Sequence, residues 1–186
     1  NHRTLQAITG IILFTINSLQ SQDQLLLGGG FQSNANVFIR DSQIGAYHIP
    51  QYDYQLFGAE SWLDLNASYS GFTFGVRFDA FHNSNLLNPV ASYSDYGIGR
   101  WFIQKEIERF EVQAGYLYDE IGSGIIYRAY EERAQLIDNA LIGVSGKYKI
   151  SDNWFLKAFT GKQKFLFSSY NSLIKGIYTS GFYKPT

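Results

Sequence analysis

The sequence predicts an all-β fold: an antiparallel, up-and-down transmembrane β-barrel with about eight visible strands. Three observations predict it. Apolar and polar residues alternate with a period of two from Leu25 onward. Short and long connections alternate between the strands, as they do in outer-membrane barrels. The apolar face is uncharged over several strands and has aromatic residues near both strand ends, where a membrane barrel has its two girdles.

The alternation defines the strands and the connections between them. The strands are expected at residues 25–40, 58–69, 72–81, 96–107, 110–119, 141–150, 154–160 and 173–183. Short turns are expected at residues 70–71, 108–109 and 151–153, and long connections at 41–57, 82–96, 120–141 and 163–171. This alternation of connection lengths would place the long loops on the extracellular side of a barrel.

The turn at Ser70-Gly71 sets the register of the best-defined hairpin. Glycine tolerates positive φ, which suits this pair to a two-residue hairpin turn. The turn pairs Tyr69 with Phe72. Counted outward, the same register places Asp64 opposite Arg77 on the polar face, which predicts a cross-strand ion pair.

The first residues have the layout of a secretory signal peptide. A short apolar run at residues 7–16 follows His2 and Arg3 and precedes a polar stretch. We expect a signal peptide at residues 1–21, with Ser21 as its last residue, and a short buried helix is the alternative. Residues 22–186 would then be an exported barrel in the cell outer membrane.

The end of the chain bears on the strand count. It stops at Tyr183-Lys184-Pro185-Thr186 rather than on the aromatic residue with which bacterial barrels usually end. Barrels with any even number of strands from about 8 upward are allowed. We expect residues 22–186 to be the N-terminal part of a larger barrel, incomplete at its C-terminus. An eight-stranded barrel with an unusual end is the alternative.

Residues 120–141 interrupt the alternation and hold the densest cluster of charge. A candidate lumenal charge network consists of Arg128, Glu131, Glu132, Arg133, Asp138 and Asn139. Buried charges persist only when they are paired, so we interpret the cluster as a network that pins an inward-folded segment to the barrel wall. A binding or gating site is the alternative. We expect the segment to be ordered, with Arg128 and Arg133 paired to carboxylates, and the substitution Arg128→Ala to reduce the yield of folded barrel.

Composition argues against several other kinds of site. The net charge of −1 gives no attraction to nucleic acid. The chain has no cysteine, and its histidines are isolated, so we expect no metal site and no cofactor. Gly122-Ser123-Gly124 lacks the spacing and context of a nucleophile elbow. A serine paired with His48 or His82 is the catalytic alternative, and we predict no catalytic residue.

The interrupting segment also carries a resemblance. Ile121-Gly122-Ser123-Gly124, residues 127–133 and Asp138-Asn139-Ala140-Leu141 resemble an uncharacterised family of outer-membrane β-barrels from Bacteroidota, a domain of unknown function. The resemblance covers the chain from about Gln24 onward and is closest over residues 115–149. It implies an outer-membrane location and a longer barrel, and it implies no activity.

These observations predict a non-enzymatic outer-membrane protein: a channel, a transport component or a scaffold for the cell envelope. Its expected partners are outer-membrane lipid and other envelope proteins, without nucleic acid. Two alternatives stay open. One is a barrel enzyme that modifies lipid or lipopolysaccharide, and the other is a soluble, secreted barrel that binds an apolar ligand as lipocalins do.

Overall fold

The computed structural model describes residues 24–183. The predicted signal peptide at residues 1–21 lies outside the described residues. The long strands are β1 Leu26–Val37, β2 Phe57–Tyr69, β3 Phe72–Ser84, β4 Tyr93–Ile107, β5 Phe110–Leu117, β10 Leu141–Ser151, β11 Trp154–Phe165 and β12 Ser168–Gly181. Between β5 and β10 lie four short strands: β6 Asp119–Ile121, β7 Tyr127–Ala129, β8 Glu131–Glu132 and β9 Ile137–Asp138.

The eight long strands form one antiparallel sheet in the order β1-β2-β3-β4-β5-β10-β11-β12. Every pair of sheet neighbours is consecutive among the long strands, which is the up-and-down order that the sequence predicts. The predicted all-β antiparallel fold with eight strands is therefore confirmed. The sheet is not closed into a barrel, because β1 and β12 each pair with one neighbour within residues 24–183.

The predicted register of the β2–β3 hairpin is confirmed. Tyr69 pairs with Phe72, and Asp64 lies opposite Arg77. Ser70 and Gly71 have φ values of 49° and 72°. Two consecutive positive values match a tight hairpin turn whose twist suits the flanking strands.

The predicted long connection at residues 163–171 is wrong. β11 continues to Phe165 and β12 begins at Ser168, so a two-residue turn joins them. The pairing of β11 with β12 shifts between Lys162 and Lys164, where a bulge breaks the alternation. Most of the residues that suggested a loop therefore lie in β11 and β12. The bulge interrupts the alternation of side chains between the two faces, which hides the strand in the sequence. Long connections remain at residues 38–56, 85–92 and 118–140.

The two faces of the sheet differ in the solvent exposure of their side chains. Several charged side chains on the polar face are buried: Arg77, Glu60 and Lys164 are 1%, 2% and 4% exposed. Apolar side chains on the other face are open to the surroundings, with Leu65 and Phe78 each 44% exposed. A soluble protein normally shows the reverse distribution.

The sheet curves around its polar face. The ammonium group of Lys164 on β11 donates a hydrogen bond to the carbonyl oxygen of Gly99 on β4 at 2.5 Å. The rings of Phe81 and Phe167 also approach, with centroids 6.0 Å apart. β4 and β11 are separated in the sheet by β5 and β10, so these contacts cross the concave side. We call the concave face the inner face and the apolar face the outer face.

A small apolar cluster also lies on the inner face. Leu117, Leu141 and Phe159 are buried together, and the ring of Tyr127 stacks on that of Phe159 with centroids 5.0 Å apart. The helical segments in the described part of the chain are short: one turn of π-helix over Gln51–Gln55 and one 3₁₀ turn over Arg133–Gln135. No helix within residues 24–183 is both long and apolar enough to cross a membrane.

Candidate functional site

The segment at residues 118–140, which we call the insert, folds into two small hairpins. β6 pairs with β7, and β8 pairs with β9. Asn139 joins their ends: its side-chain oxygen accepts a hydrogen bond from the backbone N–H of Tyr130 at 2.6 Å, and its own N–H donates to the Tyr130 carbonyl at 3.1 Å. The insert therefore has local structure of its own. The ion pairs described below hold it against the inner face.

Arg77 is the centre of the contact between the insert and the sheet. Its guanidinium donates two hydrogen bonds to the carboxylate of Asp79, at 2.6 and 2.9 Å. A third bond, at 2.5 Å, reaches Oε1 of Glu131 in the insert. Alternation in β3 places Arg77 and Asp79 on the same face, two residues apart. The buried arginine thus holds one carboxylate of the sheet and one of the insert.

Asp138 supplies the second carboxylate from the insert. Its Oδ2 lies 2.5 Å from Nζ of Lys164 and 3.6 Å from Nη2 of Arg77. Its Oδ1 accepts a hydrogen bond from the hydroxyl of Tyr118 at 3.0 Å. Burial is the largest cause that raises the pKa of Tyr118 above its usual range, and the carboxylates of Asp138 and Glu131 add to it. The phenol therefore stays protonated and serves as a hydrogen-bond donor.

Arg133 extends the network toward the first strands. Its Nε lies 3.1 Å from Oε1 of Glu131, and its Nη2 lies 3.4 Å from Oδ2 of Asp64 on β2. A hydrogen bond of 3.3 Å from Nη1 reaches the side-chain oxygen of Gln32 on β1. The other oxygen of Asp64 accepts from Arg100 on β4 at 3.0 Å. One arginine of the insert thus contacts two strands.

The network is balanced in charge. Its four cations and four carboxylates are Arg77, Arg100, Arg133, Lys164, Asp64, Asp79, Glu131 and Asp138. Such pairing is what allows charges to remain buried. A cavity of about 30 Å³ adjoins the network, which is room for about one water molecule. The charges of the network therefore neutralise one another, and little space is left beside them.

A second anchor holds the other end of the insert. The carboxylate of Asp119 lies 3.0 Å from Nζ of Lys157 on β11. The hydroxyl of Tyr178 on β12 donates to the same carboxylate, 3.0 Å from both oxygens. Because Asp119 and Asp138 stand near opposite ends of the insert, the segment is tied to the sheet at both ends.

The predicted network residues divide into two groups. Glu131, Arg133 and Asp138 belong to the network. Arg128 does not: its Nε is 4.0 Å from Glu120, and both side chains are more than half exposed. Instead, the Arg128 guanidinium lies 4.2 Å from the ring centroid of Tyr130.

The other two predicted residues have local roles. The Glu132 carboxylate accepts a hydrogen bond from the N–H of Ala134 at 3.2 Å and caps the 3₁₀ turn. Asn139 joins the two hairpins of the insert, as described above. Both side chains therefore organise the insert itself, and neither contributes an ion pair to the network.

The predicted ion pair between Asp64 and Arg77 is wrong in its partners. The two residues are opposite each other in the register. However, Asp64 contacts Arg100 and Arg133, while Arg77 contacts Asp79 and the carboxylates of the insert. The register gives the neighbouring positions in the sheet, and the insert then competes for the side chains.

Sequence reasoning missed Asp79, Arg100, Lys164 and Tyr118 as members of the network. Asp79 could have been found from the sequence, because residues two apart in a strand lie on the same face and Asp79 is two residues after Arg77. Lys164 gave no such signal, because it follows the bulge in β11. Its contact with Asp138 joins residues 26 positions apart, which no local pattern reveals.

His48, His82 and Ser123 lie in different local surroundings. The ring of His82 hydrogen-bonds the side chain of Asn83 at 3.1 Å, and the ring of His48 lies against that of Tyr47. Ser123 has a φ of 56° within the turn between β6 and β7. In the part of the chain that the structure describes, neither histidine hydrogen-bonds a serine, and no group of three or more His, Asp or Glu could hold a metal ion.

Comparison with known proteins gives a family without an assigned role. No curated protein and no solved structure matches the chain. The model of one family, described as a family of unknown function, matches residues 3–180. The match includes the motifs of the insert that carry the resemblance to a domain of unknown function. Since it covers nearly the whole chain, the protein belongs to the family of unknown function DUF6029.

Proposed function

We propose that the chain forms the wall of an outer-membrane β-barrel with a non-enzymatic role, and that the insert fills the interior. One observation carries this proposal: charged side chains in the middle of the inner face, such as Arg77 and Glu60, are buried, while large apolar side chains on the outer face are exposed. Leu65, Phe78 and Val144 on the outer face are 44%, 44% and 50% exposed. Burying such a side chain is worth about 1.5–3 kcal/mol. Lipid around the sheet would supply that burial, and water would not.

The free edges of the sheet support a barrel larger than eight strands. Within the described residues, β1 and β12 each leave one side without a strand partner. Backbone N–H and C=O groups cannot remain unpaired in hydrocarbon, where each costs several kcal/mol. Further strands beside β1 and β12 would satisfy these groups. The described sheet would then be the N-terminal part of a larger wall.

The network favours a filled interior over a permanently open channel. Its charges neutralise one another, and the insert is tied to the wall by Asp119 at one end and by Glu131 and Asp138 at the other. A transport component or an envelope scaffold therefore fits the geometry better than an open channel does. The soluble, lipocalin-like alternative fits less well, because its apolar face would have to line the inside.

Cysteine labelling tests which face meets lipid. The chain has no cysteine, so each single-cysteine variant reports on one position. Leu65 and Asn66 are neighbours on β2, and both are exposed, on the outer and inner face respectively. In the outer membrane, Leu65→Cys should react with a water-soluble maleimide at least about tenfold more slowly than Asn66→Cys, because hydrocarbon excludes the reactive thiolate.

Two controls complete this test. Heat-modifiable gel mobility checks that each variant is folded. After the protein is denatured in detergent, both thiols should react with the maleimide at the same rate. Equal labelling of the folded variants, in a protein that remains monomeric and folded in plain buffer, would overturn the membrane proposal. A steady conductance of the wild-type protein in planar bilayers would instead overturn only the filled interior.

A further inference from the structure

The charges on the outer face are of one sign. The carboxylates of the long strands lie at inner-face positions of the register: Glu60, Asp64, Asp79, Asp95, Glu106 and Glu111. Within residues 24–183, the charged side chains at outer-face positions of these strands are three lysines, Lys105, Lys162 and Lys175. The outer face therefore carries positive side chains, and the described long strands place no carboxylate on that face to balance them.

Lys162 and Lys175 lie side by side near one end of this face. Phe159 and Gly176 mark the inner face of the β11–β12 pair, so the next register positions turn outward. Lys162 pairs with Leu173, and Lys175 lies two residues farther along the same strand. Such diagonal positions on one face are about 7–8 Å apart. Two flexible lysine side chains at this spacing can reach a single anion.

Within residues 24–183, neither of these lysines has an anionic partner. Both side chains are exposed, and neither forms an ion pair among the described residues. Lys105 differs, although it is also on the outer face. Its ammonium group donates to the carbonyl oxygen of Ser70 and lies 4.1 Å from the ring centroid of Phe72. The pair on β11 and β12 therefore lacks the local contacts that satisfy the third lysine.

The position along the strand matches the boundary of a bilayer. β11 begins at Trp154, and Lys162 is its ninth residue. A tilted strand crosses the hydrocarbon region in about 9–11 residues. With Trp154 in the aromatic girdle beside the short turns, Lys162 reaches the opposite headgroup level. The backbone of Lys175 lies deeper in the bilayer, because Lys175 pairs with Thr160. Its long side chain can extend to the same headgroup level while its methylenes stay in the apolar layer.

We propose that Lys162 and Lys175 together bind the phosphate headgroup of an anionic lipid in the leaflet on the long-loop side. This inference rests on the proposed membrane location. Leu173 and Ile177, 56% and 70% exposed, continue the apolar surface beside the two lysines, where the acyl chains would lie. This apolar surrounding favours a lipid over a protein carboxylate as the source of the anion.

Lipid retention by the folded full chain tests the proposal. The protein in detergent micelles is titrated with phosphatidylglycerol or with phosphatidylcholine, and the bound lipid is counted by intact-complex mass spectrometry. The wild-type protein should prefer phosphatidylglycerol. The double variant Lys162→Gln/Lys175→Gln should bind it roughly tenfold or more weakly, since two basic side chains that attract the headgroup are lost. Lys105→Gln is the matched control and should keep the wild-type preference.

The outcomes separate this inference from the function on which it rests. Absence of a preference in the wild-type protein, or an unchanged preference in the double variant, would overturn the lipid site while leaving the barrel in place. Displacement of the lipid by excess inorganic phosphate would show a site for free phosphate and would overturn the lipid assignment. Failure of all variants to insert into vesicles or to show heat-modifiable mobility would overturn the membrane proposal as well.

Discussion

Glu131 and Arg77 are 54 residues apart in the chain, and Oε1 of Glu131 lies 2.5 Å from Nη1 of Arg77. Arg77 is 1% exposed and also binds Asp79 in its own strand. The contact therefore joins the insert to a residue of the sheet that is already fixed by a bidentate pair. The insert and the sheet should accordingly fold as one unit, and this relationship can be tested by substitution.

Replacing Glu131 with Gln should destabilise the folded protein by about 2–4 kcal/mol, because it leaves the buried charge of Arg77 with one neutralising partner fewer. The amide keeps the size of the side chain and one acceptor oxygen, so the loss reports on charge rather than on packing. Urea unfolding in detergent micelles, followed by tryptophan fluorescence, measures the change. The insert should also become more sensitive to trypsin at Arg128 and Arg133 under native conditions.

The adjacent residue provides the matched control. Glu132 is exposed and caps the 3₁₀ turn through Ala134, a role that a Gln side-chain oxygen can still perform. Glu132→Gln should therefore change the free energy of unfolding by less than about 0.5 kcal/mol. If the two substitutions had equal effects, the contact between Glu131 and Arg77 would not be what holds the insert in place.

Arg128→Ala should leave the yield of folded protein close to that of the wild type, contrary to the expectation from sequence. The Arg128 side chain is exposed, and its nearest carboxylate, that of Glu120, is also exposed at 4.0 Å. Such pairs contribute about 0–1 kcal/mol. Arg77→Ala should instead lower the folded yield severely, because several carboxylates lose their shared cation. Heat-modifiable gel mobility compares the two variants, and an equal loss would contradict the placement of Arg128 outside the network.

Much of the sheet could be predicted because its pattern is local. The alternation and the turn at Ser70-Gly71 give the strands, their order and the opposition of Asp64 to Arg77. The ion partners depend instead on which distant segment covers the inner face. Period-two counting contains no information on this, so Asp64 received the wrong partner. The bulge before Lys164 is likewise invisible to a count that assumes regular pairing.

Gly99→Ala should destabilise the fold through the same network. A Cβ at position 99 would lie 1.9 Å from Oδ2 of Asp79, the carboxylate that binds Arg77. Overpacking of a buried site typically costs about 1–3 kcal/mol, and displacing a paired carboxylate places this substitution at the upper end. Gly146→Ala is the control, since a Cβ there meets nothing within 4 Å. Similar urea midpoints for the two variants would count against the tight fit of Gly99 beneath Asp79.

Alkaline pH should weaken the attachment of the insert through Tyr118. Burial, reinforced by the carboxylates of Asp138 and Glu131, raises the pKa of this phenol in the folded protein. The unfolded chain loses the same proton near pH 10. The stabilisation is therefore complete below about pH 10 and is lost as the pH rises from there toward the folded pKa. Burial, together with Asp119, also raises the pKa of Tyr127 to about 12, so two groups act in the same direction.

Tyr118→Phe isolates this effect, because it removes the titrating group and its hydrogen bond of 3.0 Å to Asp138. Near pH 8 the variant should be less stable than the wild type by about 1 kcal/mol, the usual net worth of one hydrogen bond. Above pH 10 the wild type loses about 1.4 kcal/mol per pH unit through this tyrosine, and the variant does not. The stability difference should therefore shrink and reverse near pH 11. Parallel urea midpoints from pH 8 to 11 would show that Tyr118 ionises as readily in the folded protein as in the unfolded chain.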